Sequence, residues 1–375
     1  MKLIIATTPF NIFNAIILKQ NFFKGDIVDI YITDFSLKNY LIADKLKEAG
    51  IFRKVEKIQQ YKYDHLYTKN KNAKIKLFAI KLISKINRIF FKKKCYKDVC
   101  GFLSMEKYDE IIFDTGNYPQ RVVMNYHYKL NRKIKTNLYD VGHETFLIAA
   151  MFDIEKKDAE KRHKQFNCKN LEKIYAYQTE FYPKLINDIS LVEIGTIDLR
   201  TKELLNQVFE YREEYNDIMK NDFIFFDSAT DDDKDLEKQY VEIFKSIQYV
   251  TNNAFCVKLH PRTENNPYKG LAATYDVSVP MEMLLLNADD IDNKVLVSHA
   301  SVATFSPKNV FNKEPTVIMF SKFVHCNMMP VEQVELFETL TYKTKISYQN
   351  KEKFILPESM DEFLDVIAQK AADNI

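Results

Sequence analysis

The sequence predicts an α/β protein built from two doubly wound, Rossmann-like domains. Short apolar runs alternate with longer segments of helical periodicity, the pattern of βαβ units and parallel sheets. A length of 375 residues is enough for two domains with separate cores. The polar helical stretch Thr201–Asn221 separates two strand series of similar size, which sets a division into residues 1–205 and 206–375.

The elements follow in order. Leu3–Thr7 reads as a strand and Phe10–Lys19 as the helix after it. Strand Ile27–Ile32 precedes helix Ser36–Ala49, for which Asp34 or Ser36 is the start signal. Strands Glu110–Asp114, Thr136–Tyr139 and Lys173–Tyr177 complete the first series. The second series holds strands Phe223–Asp227, Ala254–Leu259, Ala273–Tyr275, Lys294–Ser298 and Pro315–Met319. Its helices are Lys234–Thr251, Met281–Leu286 and a terminal one at Ser359–Ala372, where Ser359 and Glu362 form a capping box.

Composition narrows the function. Hydrophobic content of 46% and charged content of 28% describe a folded globular chain, and a net charge of +2 supplies no field for nucleic acid. With seven glycines there is no dinucleotide fingerprint, P-loop or Gly-x-Ser-x-Gly elbow. Five cysteines without framework spacing read as reduced thiols, and Cys95 and Cys100 lack the second pair a zinc site needs. The chain enters its first strand without a signal-peptide pattern or a membrane-length apolar run. A cytoplasmic protein is expected, with any membrane contact peripheral and at the inner face. One segment suits such contact. Lys69–Lys97 holds eleven Lys or Arg and no acid. Ile75, Phe78, Ala79, Leu82, Ile86, Ile89 and Phe90 recur there at helical spacing. This is either a core-packing helix with a solvated face or a contact with anionic lipid, at roughly 1 kcal/mol per basic side chain.

Four segments carry candidate chemistry. In Val257-Lys258-Leu259-His260-Pro261-Arg262, proline forces His260 into extended backbone where a strand ends. Ligands of open α/β sheets bind beyond such ends, and an imidazole between Lys258 and Arg262 suits the phosphate of a nucleotide sugar. The plain alternative is a turn histidine. Asp140-Val141-Gly142 puts a carboxylate at another strand end, fit for general-base work or for capping a helix Glu144–Met151. Pro280-Met281-Glu282 opens a helix with an acid that suits ribose hydroxyls, or simply the helix dipole. Ser298-His299-Ala300-Ser301 runs into a helix start, either a phosphate cradle with the Ser301 hydroxyl and His299 as donors, or a serine N-cap. Asp231-Asp232-Asp233 has the look of a metal motif, but acids in the first turn of a helix need no metal.

Taken in order, these pieces resemble the bacterial sialyltransferases of glycosyltransferase family 52, which have the GT-B fold of two Rossmann-like domains facing a central cleft. The family's acidic-Gly, His-Pro, Pro-x-Glu and paired-hydroxyl motifs correspond to Asp140-Val141-Gly142, His260-Pro261, Pro280-Met281-Glu282 and Ala300-Ser301. The opening Thr7-Thr8-Pro9-Phe10-Asn11 is similar to the family's Thr-Pro start. Val141 and Ala300 depart from the pattern, replacing an acid and a hydroxyl.

The resemblance implies inverting, metal-independent transfer of N-acetylneuraminic acid from CMP-sialic acid, without a cofactor, to a galactose-terminated lipooligosaccharide or capsule glycan. It makes residues 1–205 the acceptor domain and 206–375 the donor domain. Asp140 becomes the base, with Asp227 as second candidate, and His260 the group on the leaving phosphate. Lys258, Pro261, Arg262, Glu282, Ser298, His299, Ala300 and Ser301 would line the donor site. The acceptor is expected against Thr8, Pro9 and Asn11, and against Gly116 and Asn117 of the loop Thr115–Arg121. A homodimer is compatible with the family. The rival readings are a transferase using CMP-Kdo or a UDP-hexose, and a non-catalytic glycan-assembly protein.

Overall fold

The computed structural model describes residues 1–35, 37–60, 91–114, 116–140, 142, 145, 171–182, 189–228, 234–251, 255–260, 263, 265–275, 279–324 and 331–373. Pro261, Arg262, Val141, Asp231–Asp233, Cys168, Cys326, residues 69–90 of the basic segment and nearly all of the proposed helix Glu144–Met151 lie outside them. The chain divides into two compact units, Met1–Glu210 and Tyr211–Ile375.

Unit 1 is a seven-stranded parallel sheet of β1 (Lys2–Ala6), β2 (Val28–Thr33), β3 (Lys54–Ile58), β4 (Glu110–Phe113), β5 (Lys135–Tyr139), β6 (Leu171–Ala176) and β7 (Ser190–Glu193). Their order is β3-β2-β1-β4-β5-β6-β7. Among the described residues five α-helices accompany them: α1 (Pro9–Asn21), α2 (Leu37–Ala49), α3 (Lys92–Cys100), α4 (Tyr118–Leu130) and α5 (Leu199–Val208). Strands β1, β2 and β4 read as unbroken apolar runs because nearly every residue in them is buried, as in sheets covered on both faces. The exception inside β2 is Asp29, fully buried. The Arg53 guanidinium donates to both of its oxygens, at 2.8 and 2.5 Å, and the Tyr108 hydroxyl adds a third bond at 2.6 Å. A buried carboxylate is tolerated when a planar fork answers it so completely.

Unit 2 repeats the plan. Its strands are β8 (Phe223–Phe226), β9 (Phe255–Lys258), β10 (Ala273–Tyr275), β11 (Val295–Ser298), β12 (Thr316–Met319) and β13 (Phe354–Ile355), in the order β10-β9-β8-β11-β12-β13. All pairs are parallel. The helices are α6 (Lys234–Thr251), α7 (Met281–Leu286), α8 (Ser306–Phe311), α9 (Val331–Ser347) and α10 (Met360–Asp373). Helix α6 buries Leu236, Tyr240, Ile243, Phe244 and Ile247, one stripe at three- and four-residue steps. They close on Phe225, Phe255, Tyr268 and Phe320 to form the core.

In each unit the chain begins at a central strand, fills one side of the sheet, then crosses back. The two switch points lie between β1 and β4 in unit 1 and between β8 and β11 in unit 2. Two Rossmann-like α/β domains are therefore present. Three strands have no counterpart in the sequence reading. Strands β3, β7 and β13 are edges, and an edge strand covered on fewer sides needs no continuous apolar run. The strand readings also ran one residue long at Thr7, Asp114, Tyr177, Asp227 and Leu259. Those residues leave the strands and begin the loops. The division between units falls after Glu210 rather than 205, because α5 is one unbroken helix packed on α1 and α2 of unit 1.

Candidate functional site

In unit 2 the in-register partners Lys258, Phe226 and Ser298 end three adjacent strands, β9, β8 and β11. At roughly 4.8 Å per strand, these ends span about 10 Å. The residues that follow them, Asp227, Leu259-His260 and His299, sit at the carboxyl edge of the sheet beside the switch point.

His260 is half-buried and its backbone is held from two directions. Its carbonyl accepts the Thr263 N–H at 2.9 Å, closing a tight turn. Its own N–H donates to Asp227 Oδ2 at 3.2 Å. Asp227, only 3% exposed, also accepts the Thr263 hydroxyl at 2.5 Å and, through Oδ1, the Tyr268 hydroxyl at 3.0 Å. Tyr268 is rooted in the core against Phe225 and Phe244. Burial pushes the Asp227 carboxyl above its ordinary range, and the Thr263, His260 and Tyr268 donors pull it back down. Both oxygens are committed to the turn. The arrangement makes Asp227 a brace for the His260 backbone; as a base it would act through oxygens that already accept these bonds. Asp227→Ala would strand one buried donor, the Tyr268 hydroxyl, and two half-buried ones, and is expected to destabilise the chain by about 2–3 kcal/mol. Thermal unfolding indistinguishable from the parent protein would remove this role.

Glu282 sits in the first turn of α7 and is 5% exposed. Its Oε1 accepts the Ser306 hydroxyl from the start of α8 at 2.5 Å. Burial raises the Glu282 carboxyl, opposed by the Ser306 bond and, more weakly, by the charge of buried Lys258. Lys258 therefore acts on Glu282 across the strand end, a coupling not legible from two residues so far apart in sequence.

His299 belongs to the scaffold. It is 5% exposed; Nδ1 pairs with the Tyr240 hydroxyl at 2.5 Å and Nε2 with the Val324 carbonyl at 2.7 Å. A carbonyl can only accept, so Nε2 carries the proton and Nδ1 accepts from tyrosine. Stacked on Phe320, the ring has no nitrogen left for a phosphate, which corrects its reading as a donor ligand. Ser298 is fully buried, and its Oγ has no hydrogen-bond partner among the described residues. Ala300 and Ser301 are half-buried in the following turn. Ser301 occupies the N-cap position of a short 3-10 segment, Val302–Thr304, but its hydroxyl makes no capping bond there.

In unit 1, Asp140 follows β5. Its Oδ1 accepts the Gly142 N–H at 2.7 Å and its Oδ2 the Tyr177 N–H at 3.3 Å. Gly142 adopts φ +83°, a left-handed conformation that glycine takes without strain. Asn14 of α1 donates to the Asp140 carbonyl at 2.6 Å and accepts the Tyr177 hydroxyl at 2.6 Å. Burial raises the Asp140 carboxyl, countered by the Gly142 and Tyr177 amides and the Tyr182 hydroxyl. The side chain nonetheless stays half-buried rather than enclosed.

The sequence reading's acceptor residues gather at the other switch point. Thr8 caps α1 in a capping box with Asn11, Pro9 starts the helix, and Asn117 caps α4. Gln120, which the sequence reading passed over, joins the two strand ends: its side chain donates to Thr7 Oγ1 at 2.8 Å and to Asp114, and accepts the Gly116 N–H at 2.8 Å. Asn117 adds a bond to Gln60 at 3.0 Å. Thr8 and the Asn11 carbonyl are spent on the cap, while Asn11 Nδ2 is buried with no partner among the described residues.

Among the described residues no group of three or more His, Cys, Asp or Glu side chains gathers as a metal centre. Cys95, Cys100 and Cys256 are buried, and burial pushes the Cys100 and Cys256 thiols up to about 12. No helix among the described residues is long and apolar enough to cross a membrane.

No protein-family model matches the chain, and no curated protein matches it. Solved structures do. Arabidopsis thaliana UGT89C1 complexed with UDP matches with a TM-score of 0.53 at 11% identity, over 99% of this chain and 89% of that one. The alpha/beta-galactoside alpha-2,3-sialyltransferase of the luminous marine bacterium Photobacterium phosphoreum matches with a TM-score of 0.50 at 11% identity, over 95% of this chain and 98% of that one. The fold is that of the GT-B glycosyltransferases. The UGT89C1 complex with UDP-L-rhamnose gives the same answer, with a TM-score of 0.52 at 10% identity over 100% and 90% of the two chains. At such identities the likeness is one of fold, and the roles of single residues rest on their own geometry.

Proposed function

We propose that this chain is an inverting, metal-independent sialyltransferase, moving N-acetylneuraminic acid from CMP-sialic acid to a galactose-terminated surface glycan. The observation that carries the reading is the His260 turn, braced by Asp227 at a strand end beside buried Lys258 and Glu282. An imidazole on a backbone held in this way suits the phosphate of a nucleotide, and the sialyltransferase among the structural neighbours supports a CMP sugar as donor.

In this reading Asp140 takes the proton of the acceptor hydroxyl, whose oxygen attacks the anomeric carbon of the donor from the opposite face. The bond from that carbon to the phosphate oxygen breaks, and CMP leaves with its electron pair. His260 stabilises or protonates the departing phosphate, with Ser301 beside it. Glu282 is assigned the ribose hydroxyls, and the unit 1 switch point the acceptor. Fixed donors where charge develops lower the barrier by several kcal/mol in a site closed to water.

Calorimetric titration with CMP and with UDP, each with and without EDTA, tests the donor. CMP binding that ignores EDTA and disappears in Glu282→Ala or Ser301→Ala is the expected result. Preference for UDP would instead favour a hexosyltransferase, the second reading that the UDP-bound structural relatives support.

A further inference from the structure

Unit 1 carries a concavity of about 670 Å³ between the start of α3 and the end of α4. Six cations line it: Lys92, Lys93, Lys94 and Lys97 from one side, Lys129 and Arg132 from the other. None of them forms an ion pair with a described carboxylate, although salt bridges are frequent elsewhere in the chain. Lys92 is half-buried, and its ammonium is pushed below its ordinary value, first by burial and then by the charges of Arg132 and Lys129. Six like charges around one hollow repel one another, so the site stores an electrostatic cost that an entering anion would relieve.

The remaining lining residues are apolar. Phe91 is 55% exposed and Leu103 40%, and Met105 nearby in the chain is 72% exposed. Exposed aromatic and aliphatic side chains among lysines are unfavourable in water but favourable at a bilayer surface. There the rings enter the headgroup boundary and the cations meet phosphates. A site for a soluble polyanion would need the charges but gains nothing from the exposed apolar groups.

We propose that this concavity is a docking site for the phosphate headgroups of an anionic lipid bilayer, with Phe91 and Leu103 entering the interface beside them. The proposal is independent of the glycosyl-transfer reading and stands or falls without any turnover assay.

The test is co-flotation of the full-length chain with vesicles of phosphatidylcholine, with and without phosphatidylglycerol. Capture by the anionic vesicles only, reduced in high salt, is expected. Reversing Lys93→Glu and Lys94→Glu together should weaken capture by about 25-fold or more, since each basic side chain near a charged surface contributes about a fivefold factor. Because a helix could be disturbed by that change, Lys129→Glu with Arg132→Glu, at and just beyond the end of α4, should reproduce it. Unchanged thermal unfolding of both variants shows that the fold is intact. Equal capture by neutral vesicles would overturn the proposal, as would capture untouched by both charge reversals. Binding of soluble polyphosphate without vesicle capture would also overturn it and would reassign the hollow to a free polyanion.

Discussion

His260→Ala is expected to lower kcat by about 10²–10⁴-fold, the usual contribution of a positioned acid or base, while leaving the fold in place. The second half of that expectation is structural. Asp227 grips the His260 backbone N–H, and Thr263 donates to its backbone carbonyl, so both restraints survive loss of the ring. The turn therefore stays formed, and unfolding should shift by no more than about 1 kcal/mol. If His260 acts on the leaving phosphate, CMP affinity falls less than turnover, because the interaction strengthens as charge develops. A well-folded variant turning over CMP-sialic acid at a near-parental rate would take His260 out of the mechanism. Asp227→Asn then separates positioning from chemistry. It should lower both stability and kcat, whereas His260→Ala lowers kcat alone.

The contrast shows why part of this site was legible in the sequence and part was not. The fold could be read because parallel strands buried on both faces, such as Phe223–Phe226 and Phe255–Lys258, leave unbroken apolar runs. His260 could be singled out because a proline after a strand end marks a special backbone position. The function of Asp227 could not be read, since an acid at a strand end looks the same whether it faces a substrate or a turn. What decides it is the pair of hydroxyls from Thr263 and Tyr268, which sequence spacing does not bring together. His299 failed for a similar reason. Its partners, the Tyr240 hydroxyl and the Val324 carbonyl, come from a different helix and from a loop with no signature of its own. The basic segment was visible as a charge run, but the hollow appears only when Lys129 and Arg132 at the end of α4 are set beside it. Local patterns thus located the elements. Long-range hydrogen bonds sorted their polar residues into brace, scaffold and candidate chemistry.

Asp140→Asn should give the other large loss of turnover, again about 10²–10⁴-fold, because an amide cannot take the acceptor's proton. The geometry predicts little structural damage. The new Oδ1 still accepts the Gly142 N–H, the 3.3 Å bond from Tyr177 is lost, and the Tyr182 hydroxyl can turn to accept from the new amide. The ionised side chain is itself a cost to the fold. Burial holds its folded pKa above the ordinary 3.8, so the folded chain binds that proton more tightly than the unfolded one. The stabilisation is complete below the unfolded value and disappears as pH rises through the folded one, leaving charged Asp140 a net burden at neutral pH. Removing the charge offsets the lost bond, and stability at pH 7 should change by less than about 1 kcal/mol. The same shift fixes the pH profile. A base works ionised, so the acidic limb of kcat/KM should lie above the pH at which an unperturbed aspartate titrates, and Asp140→Asn should abolish it. A limb unchanged in Asp140→Asn would assign the proton to another group.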